Sequence, residues 1–212
     1  MRILNLGCGK IDLSRFDKIP NAFIVNVDRY FKGGYVDVYG VELAYKEYTV
    51  NLKRDIVFCK SDIFEFLDTF KYKFDLVIAE RIFEHMEYVS GEIGRLLEAI
   101  NTATYPKAEL EIVVPNSIHL ANMILNYEKM SNQYDHIKSI NEKLIINTEF
   151  CNIRADPHLS VWTPTLAAEY IQSEGTWNIA SIINQFNFAG RSIYMKILCK
   201  KVQNAEINKK QE

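Results

Sequence analysis

Ile3-Leu4-Asn5-Leu6-Gly7-Cys8-Gly9-Lys10 is a short apolar run that breaks into Gly-x-Gly. A buried parallel strand reads this way where it turns over and lets a ligand approach its backbone, because glycine carries no Cβ to stand in the way. The second half of the signal is Val25-Asn26-Val27-Asp28, another apolar strand, ending in a carboxylate. In a doubly wound sheet an acid at the tip of the second strand, about 20 residues beyond the glycines, holds the two hydroxyls of a ribose. Asp28 can accept from both hydroxyls whereas Arg29 beside it can only donate, so Asp28 is the first candidate for that contact and Arg29 the second. Together the two stretches point to a bound adenosine.

What the loop lacks narrows the choice of adenosine compound. A dinucleotide fold needs a small residue three positions after the second glycine, so that its helix packs close and aims its N-terminus at a pyrophosphate. Asp12 stands there instead, and a carboxylate repels a diphosphate. This disfavours a nicotinamide oxidoreductase. No Gly-x-x-x-x-Gly-Lys-Ser/Thr occurs, which argues against a triphosphate-binding loop. S-adenosylmethionine has no phosphate to hold, and the loop suits it.

Four stretches now stand in order: Asn-Leu-Gly-Cys-Gly at 5–9, Asn-Val-Asp at 26–28, Ser-Asp-Ile at 61–63, and Phe-Asp-Leu-Val-Ile-Ala-Glu-Arg-Ile-Phe-Glu-His-Met at 74–86. In sequence and spacing they resemble the successive motifs of class I S-adenosylmethionine-dependent methyltransferases, most nearly the small type 11 enzymes, whose fourth strand ends in a Leu-Glu-His-like turn. The resemblance implies an α/β, Rossmann-like, doubly wound sheet, mostly parallel with an antiparallel last strand. It also implies that Asp62, which can equally cap a helix, addresses the adenine amino group with Ile63 beside it. Ala79 and Glu80 would lie by the methionine part, although related sequences often carry a smaller polar residue where Glu80 stands.

Expected strands lie at 2–6, 23–27, 55–59, 74–79 and 109–114, with helices at 62–70 and 90–103. Pro106 and its neighbours are read as a break before the fifth strand. Thr163-Pro164 opens a helix to about Ser173, and strands at 177–187 and 191–200 follow, antiparallel because a short turn joins them. Residues 1–201 thus form one methyltransferase domain, and 202–212 a polar, disordered tail. Residues 116–162 interrupt the alternation, with helical stretches at Ser117–Lys129 and Asp135–Lys143. This insertion leaves from the carboxyl end of a strand, where open α/β sheets bind ligands. It is either a substrate lid or an insertion that only packs against the sheet or another subunit.

Composition sets the bounds. A chain of 212 residues that is 48% apolar buries a substantial core. Its four cysteines, Cys8, Cys59, Cys151 and Cys199, show no Cys-x-x-Cys or paired His spacing, so no metal is expected and a reducing cytoplasm is. Neither a signal peptide nor an apolar run of membrane-spanning length is visible, so no membrane partner is expected. Formal charge is −2 with the signs interspersed, and no basic stripe marks a nonspecific nucleic-acid binder.

The chemistry is expected at the turn after the fourth strand. His85 is the imidazole nearest to it, able as a neutral base to take a proton from a hydroxyl or amine, and equally able merely to order the turn. Glu84 is read as a local cap or pair. His158 and Trp162 in the insertion are the other acceptor-side candidates, with His119 further up the same stretch. Cys8 reads as a small filler, since no His or Lys beside it would lower its pKa. The cofactor set is therefore Gly7, Cys8, Gly9, Asp28, Arg29, Asp62, Ile63, Ala79 and Glu80, and the catalytic set His85 and His158. The expected activity is methyl transfer to an oxygen or nitrogen of a small-molecule or glycan-like acceptor. The alternative is an inactive cofactor-binding subunit that supports a partner enzyme.

Overall fold

The computed structural model describes residues 1–8, 19, 21–29, 39–43, 46–51, 56–118, 159–185 and 194–202. The described strands are β1 (Arg2–Leu6), β2 (Phe23–Asp28), β3 (Tyr39–Leu43), β4 (Lys46–Asn51), β5 (Ile56–Lys60), β6 (Phe74–Glu80), β7 (Thr104–Pro115), β8 (Trp177–Gln185) and β9 (Tyr194–Lys201). Among the described residues they make one sheet in the order β3-β4-β5-β2-β1-β6-β7-β9-β8. From β5 to β7 every pairing is parallel, and β9 runs antiparallel between β7 and β8.

The parallel strands are nearly unbroken apolar runs because both of their faces are covered. Leu4 stands beside Val25 and Val77, Val25 beside Val57, and Val77 beside Leu110, which builds one cross-strand row into the larger core. The alternate residues Ile3, Ile24 and Ile56 form a second buried cluster on the opposite face. Onto the larger core pack three helices: α1 (Ile63–Thr69), α2 (Glu92–Thr102) and α3 (Pro164–Ser173). In α2 the helical spacing of Ile93, Leu96, Leu97 and Ile100 puts all four on the buried stripe. Asp62 and Thr163 cap α1 and α3 by accepting backbone N–H bonds, from Phe64 (2.9 Å) and Leu166 (3.2 Å) respectively.

β1 lies between β2 and β6, so the chain winds outward in both directions from the β1/β6 boundary. Such a reversal opens a crevice beyond the carboxyl ends of the two strands, and this positions the site. Among the described residues no helix is long and apolar enough to cross a membrane.

The structure differs from the sequence reading in three places. β7 begins at Thr104 and runs through Pro106, with Lys107 at φ 72° and a register shift against β6 between Phe74 and Leu76. Pro106 therefore marks a bulge and not the end of pairing. The antiparallel pair β3 and β4 was not expected, and it extends the sheet beyond β5. Val202, expected to open a disordered tail, donates its N–H to Thr176 O at 3.0 Å. Residues 203–212, and the helices expected at Ser117–Lys129 and Asp135–Lys143 apart from 117–118, lie outside the described residues.

Candidate functional site

At the tip of β1, Gly7 adopts φ 60° and donates its N–H to Val27 O at 2.8 Å, with Cys8 N–H following to the same carbonyl at 3.3 Å. A Cβ at Gly7 would stand 2.7 Å from Ile82 Cδ1 and Cγ1. Glycine is thus required twice, by the left-handed backbone and by the close approach of the turn after β6. Gly7→Ala is expected to cost at least ~1–2 kcal/mol from the backbone alone, read as a lower denaturant midpoint. An unchanged midpoint would show that turn and Ile82 adjust freely. Burial, then the negative charge of Asp28, push the Cys8 thiol up to about 12. A thiol raised in this way is disfavoured as a nucleophile.

Under the strand tips, Asn5 Nδ2 donates to Asn26 Oδ1 at 2.8 Å, and Asn26 Nδ2 to Val57 O at 3.5 Å. Both amides are buried, and they cross-link β1, β2 and β5 just below the edge. Asp28 ends β2, half-buried, and its carbonyl accepts from Ser61 N–H at 3.3 Å. That bond brings the tips of β2 and β5 together. Asp62 follows, its Oδ1 accepting from Phe64 N (2.9 Å) and Glu65 N (3.3 Å), while its Oδ2 is paired with Arg29 Nη2. Burial raises the Asp62 pKa, but the Arg29 hydrogen bond, the two backbone N–H groups and the Arg29 charge outweigh it and hold the carboxyl below its usual value. The stability this lends is present above the ordinary aspartate pKa and fades as pH falls through the lowered one. Ile63 opens α1, half-buried against the main core.

Ala79 is fully buried near the end of β6 and Glu80 half-buried at its tip. Arg81 takes φ 59°, donates its N–H to Val113 O at 2.9 Å and lays its guanidinium 4.7 Å above the Tyr194 ring. One 3-10 turn, Phe83–His85, comes next, and His85 N–H closes it on Ile82 O at 3.0 Å. The His85 side chain is half-buried, whereas that of Glu84 is buried.

The end of the insertion is fastened to this turn. Leu159 and Ser160 donate their N–H groups to Glu84 O at 2.7 and 3.1 Å, and Ser160 Oγ donates to Phe83 O at 2.9 Å. Trp162 Nε1 donates to Ser160 Oγ at 2.8 Å, and its ring meets those of Phe83 and Tyr170 edge-on at 5.8 and 5.1 Å. At 1% exposure Trp162 is core, which corrects its expected place beside an acceptor. Ser117 N–H reaches Trp162 O at 3.0 Å, so both ends of the insertion meet at the carboxyl edge. Gly9, His119 and His158 lie outside the described residues.

Gly7, Cys8, Asp28, Arg29, Asp62 and the turn from Ala79 to His85 thus gather beyond the carboxyl ends of β1, β2, β5 and β6. Ile82, which dictates the glycine, and the Asn5–Asn26 pair escaped the sequence reading, because their partners are distant in sequence. Among the described residues no three or more His, Cys, Asp or Glu side chains come together as metal ligands.

No protein-family model matches the chain, and no curated protein matches it in sequence. Solved structures do. The N-methyltransferase NodS from Bradyrhizobium japonicum WM9, in complex with S-adenosyl-L-homocysteine, superposes with a TM-score of 0.53 at 8% identity, over 95% of this chain and 78% of that one. The Burkholderia thailandensis 1,6-didemethyltoxoflavin-N1-methyltransferase, with bound 1,6-didemethyltoxoflavin and S-adenosylhomocysteine, gives 0.56 at 11% identity over 95% and 71%. Human N-acetylserotonin methyltransferase, in complex with SAM, gives 0.53 at 17% identity over 95% and 48%. At such identities the likeness is one of architecture. The chain has the class I methyltransferase fold.

Proposed function

We propose that this protein is an S-adenosylmethionine-dependent methyltransferase of the type 11 kind, acting in a reducing cytoplasm on an oxygen or nitrogen of a small-molecule or glycan-like acceptor. The observation that carries the reading is that the Gly7 turn, Asp28, Asp62 and the 79–85 turn lie along one carboxyl edge of the sheet, from β5 across β2 and β1 to β6. The residues suit the cofactor. Gly7 carries no side chain at the tip of β1, Asp28 ends the neighbouring strand with a carboxylate, and no phosphate cradle is needed. Asp62 and Ile63 serve the adenine, Ala79 and Glu80 the methionine end, and Arg29 lies on the adenine side through its pair with Asp62.

S-adenosylmethionine supplies an electrophilic methyl group on a positive sulfur. The protein's part is then to align the acceptor, keep water out and receive a proton. We assign that proton to His85, because it stands in the turn that follows Glu80. His158, and Gly9 in the cofactor loop, keep their assignments from the sequence alone.

Calorimetry tests the reading. S-adenosylmethionine and S-adenosylhomocysteine are expected to bind at micromolar affinity, and Asp28→Ala to weaken them by about tenfold or more, since a hydrogen bond to a charged group contributes ~1.5–3 kcal/mol. Heat with NADH alone would end the methyltransferase reading. Binding without labelled-methyl turnover in a metabolite extract would favour the inactive supporting subunit.

A further inference from the structure

Among the described residues β8 is the outermost strand at its end of the sheet, hydrogen-bonded to β9 on one side. The outward N–H and C=O groups of such a strand are a template for another chain, and charged side chains usually defend them. β3, at the opposite edge, carries Glu42. Trp-Asn-Ile-Ala-Ser-Ile-Ile-Asn-Gln of β8 holds no charged residue, alone among the nine described strands. A bulge blunts only its first half, where β8 gains a residue against β9 between Ile179 and Ser181. From Ser181 to Gln185 the register is unbroken, which leaves one flat stretch. Ile183 is its middle residue, 51% exposed, and stands beside Lys196 of β9. Lys196 is itself paired with Glu111 of β7 at 2.9 Å, so its charge is drawn inward from this edge.

Charge and symmetry identify the occupant. Two copies of a strand related by a two-fold axis lie antiparallel, and a charged residue near the axis then comes close to its own like charge. The uncharged β8 carries no such penalty. An axis through Ile183 keeps each residue opposite one that faces the same side of the sheet: Ile183 meets Ile183, and Ile182 meets Asn184. A register centred nearer the start of β8 would run into the bulge. We propose that β8 is a dimerisation edge, to which a second copy of this chain adds its own β8 antiparallel, so that the two sheets become one. The seam covers the exposed Ile183 of both copies. It runs beside the start of the insertion, since Asn184 Oδ1 accepts from Asn116 Nδ2 at 3.0 Å.

Sedimentation over about a hundredfold range of protein concentration is the test, with thermal melting as the control for folding. The wild type is expected to pass from monomer to dimer and no further, because a two-fold contact closes on itself. Ile183→Lys and Ile183→Glu each set like charges opposite one another across the axis, and each alone is expected to stay monomeric at every concentration. Both should fold, since half of the Ile183 side chain is exposed. Mixed in equal amounts, the two variants are expected to recover the dimer, because residue 183 then faces an opposite charge. Salt should weaken this mixed dimer more than the wild-type one. A wild type that is monomeric throughout would overturn the proposal. So would a dimer that survives Ile183→Lys, which would place the interface elsewhere, or two folded variants whose mixture stays monomeric.

Discussion

His85→Gln is expected to lower the rate of methyl transfer about 10²–10⁴-fold while S-adenosylmethionine binds as before. Glutamine keeps approximate size and hydrogen-bonding capacity but cannot take a proton from the acceptor. The backbone closure of the turn, His85 N–H to Ile82 O at 3.0 Å, is available to the variant as well. Incorporation of a deuterated methyl group into an extract, followed by mass spectrometry, reads the rate, and calorimetry reads the binding. A variant that keeps most of its activity would leave His85 as a turn-ordering residue. Alignment of acceptor and methyl, which can contribute up to ~7–11 kcal/mol, would then be the main source of catalysis.

Trp162→Ala is expected to cost ~3–5 kcal/mol, the range for truncating a large buried aromatic. With ~2–4 °C lost per kcal/mol in a domain of this size, the melting temperature should fall by on the order of 10 °C. Two effects add. The Phe83 and Tyr170 rings lose the indole they meet edge-on, and Ser160 Oγ loses the donor that helps hold it to Phe83 O. Trp162→Phe keeps much of the ring contact and should recover part of the loss. A melting temperature unchanged by Trp162→Ala would remove the residue from the core.

The parallel strands were legible because burial on both faces makes them nearly continuous apolar runs, as in Ile3 to Leu6, broken only by Asn5, and Leu76 to Ala79. The glycine turn and Asp28 were legible because they interrupt those runs. β3 and β4 were not, since Glu42, Lys46 and Glu47 break up any apolar run there, as an edge of a sheet permits. Pro106 was misread because proline stops a regular ladder but is accepted at a bulge. The Arg29–Asp62 pair depends on β2 and β5 being neighbours, a fact of topology and not of spacing. Trp162 was misplaced for the same reason: Ser160 contacts Phe83 across 77 residues of sequence.

The high pKa of Cys8 bears on how the protein can be handled. With the thiol pushed up to about 12, Cys8 carries little thiolate near neutral pH. Iodoacetamide and peroxides both react through the thiolate, so Cys8 is expected to react slowly with either, as mass spectrometry of the treated protein would show.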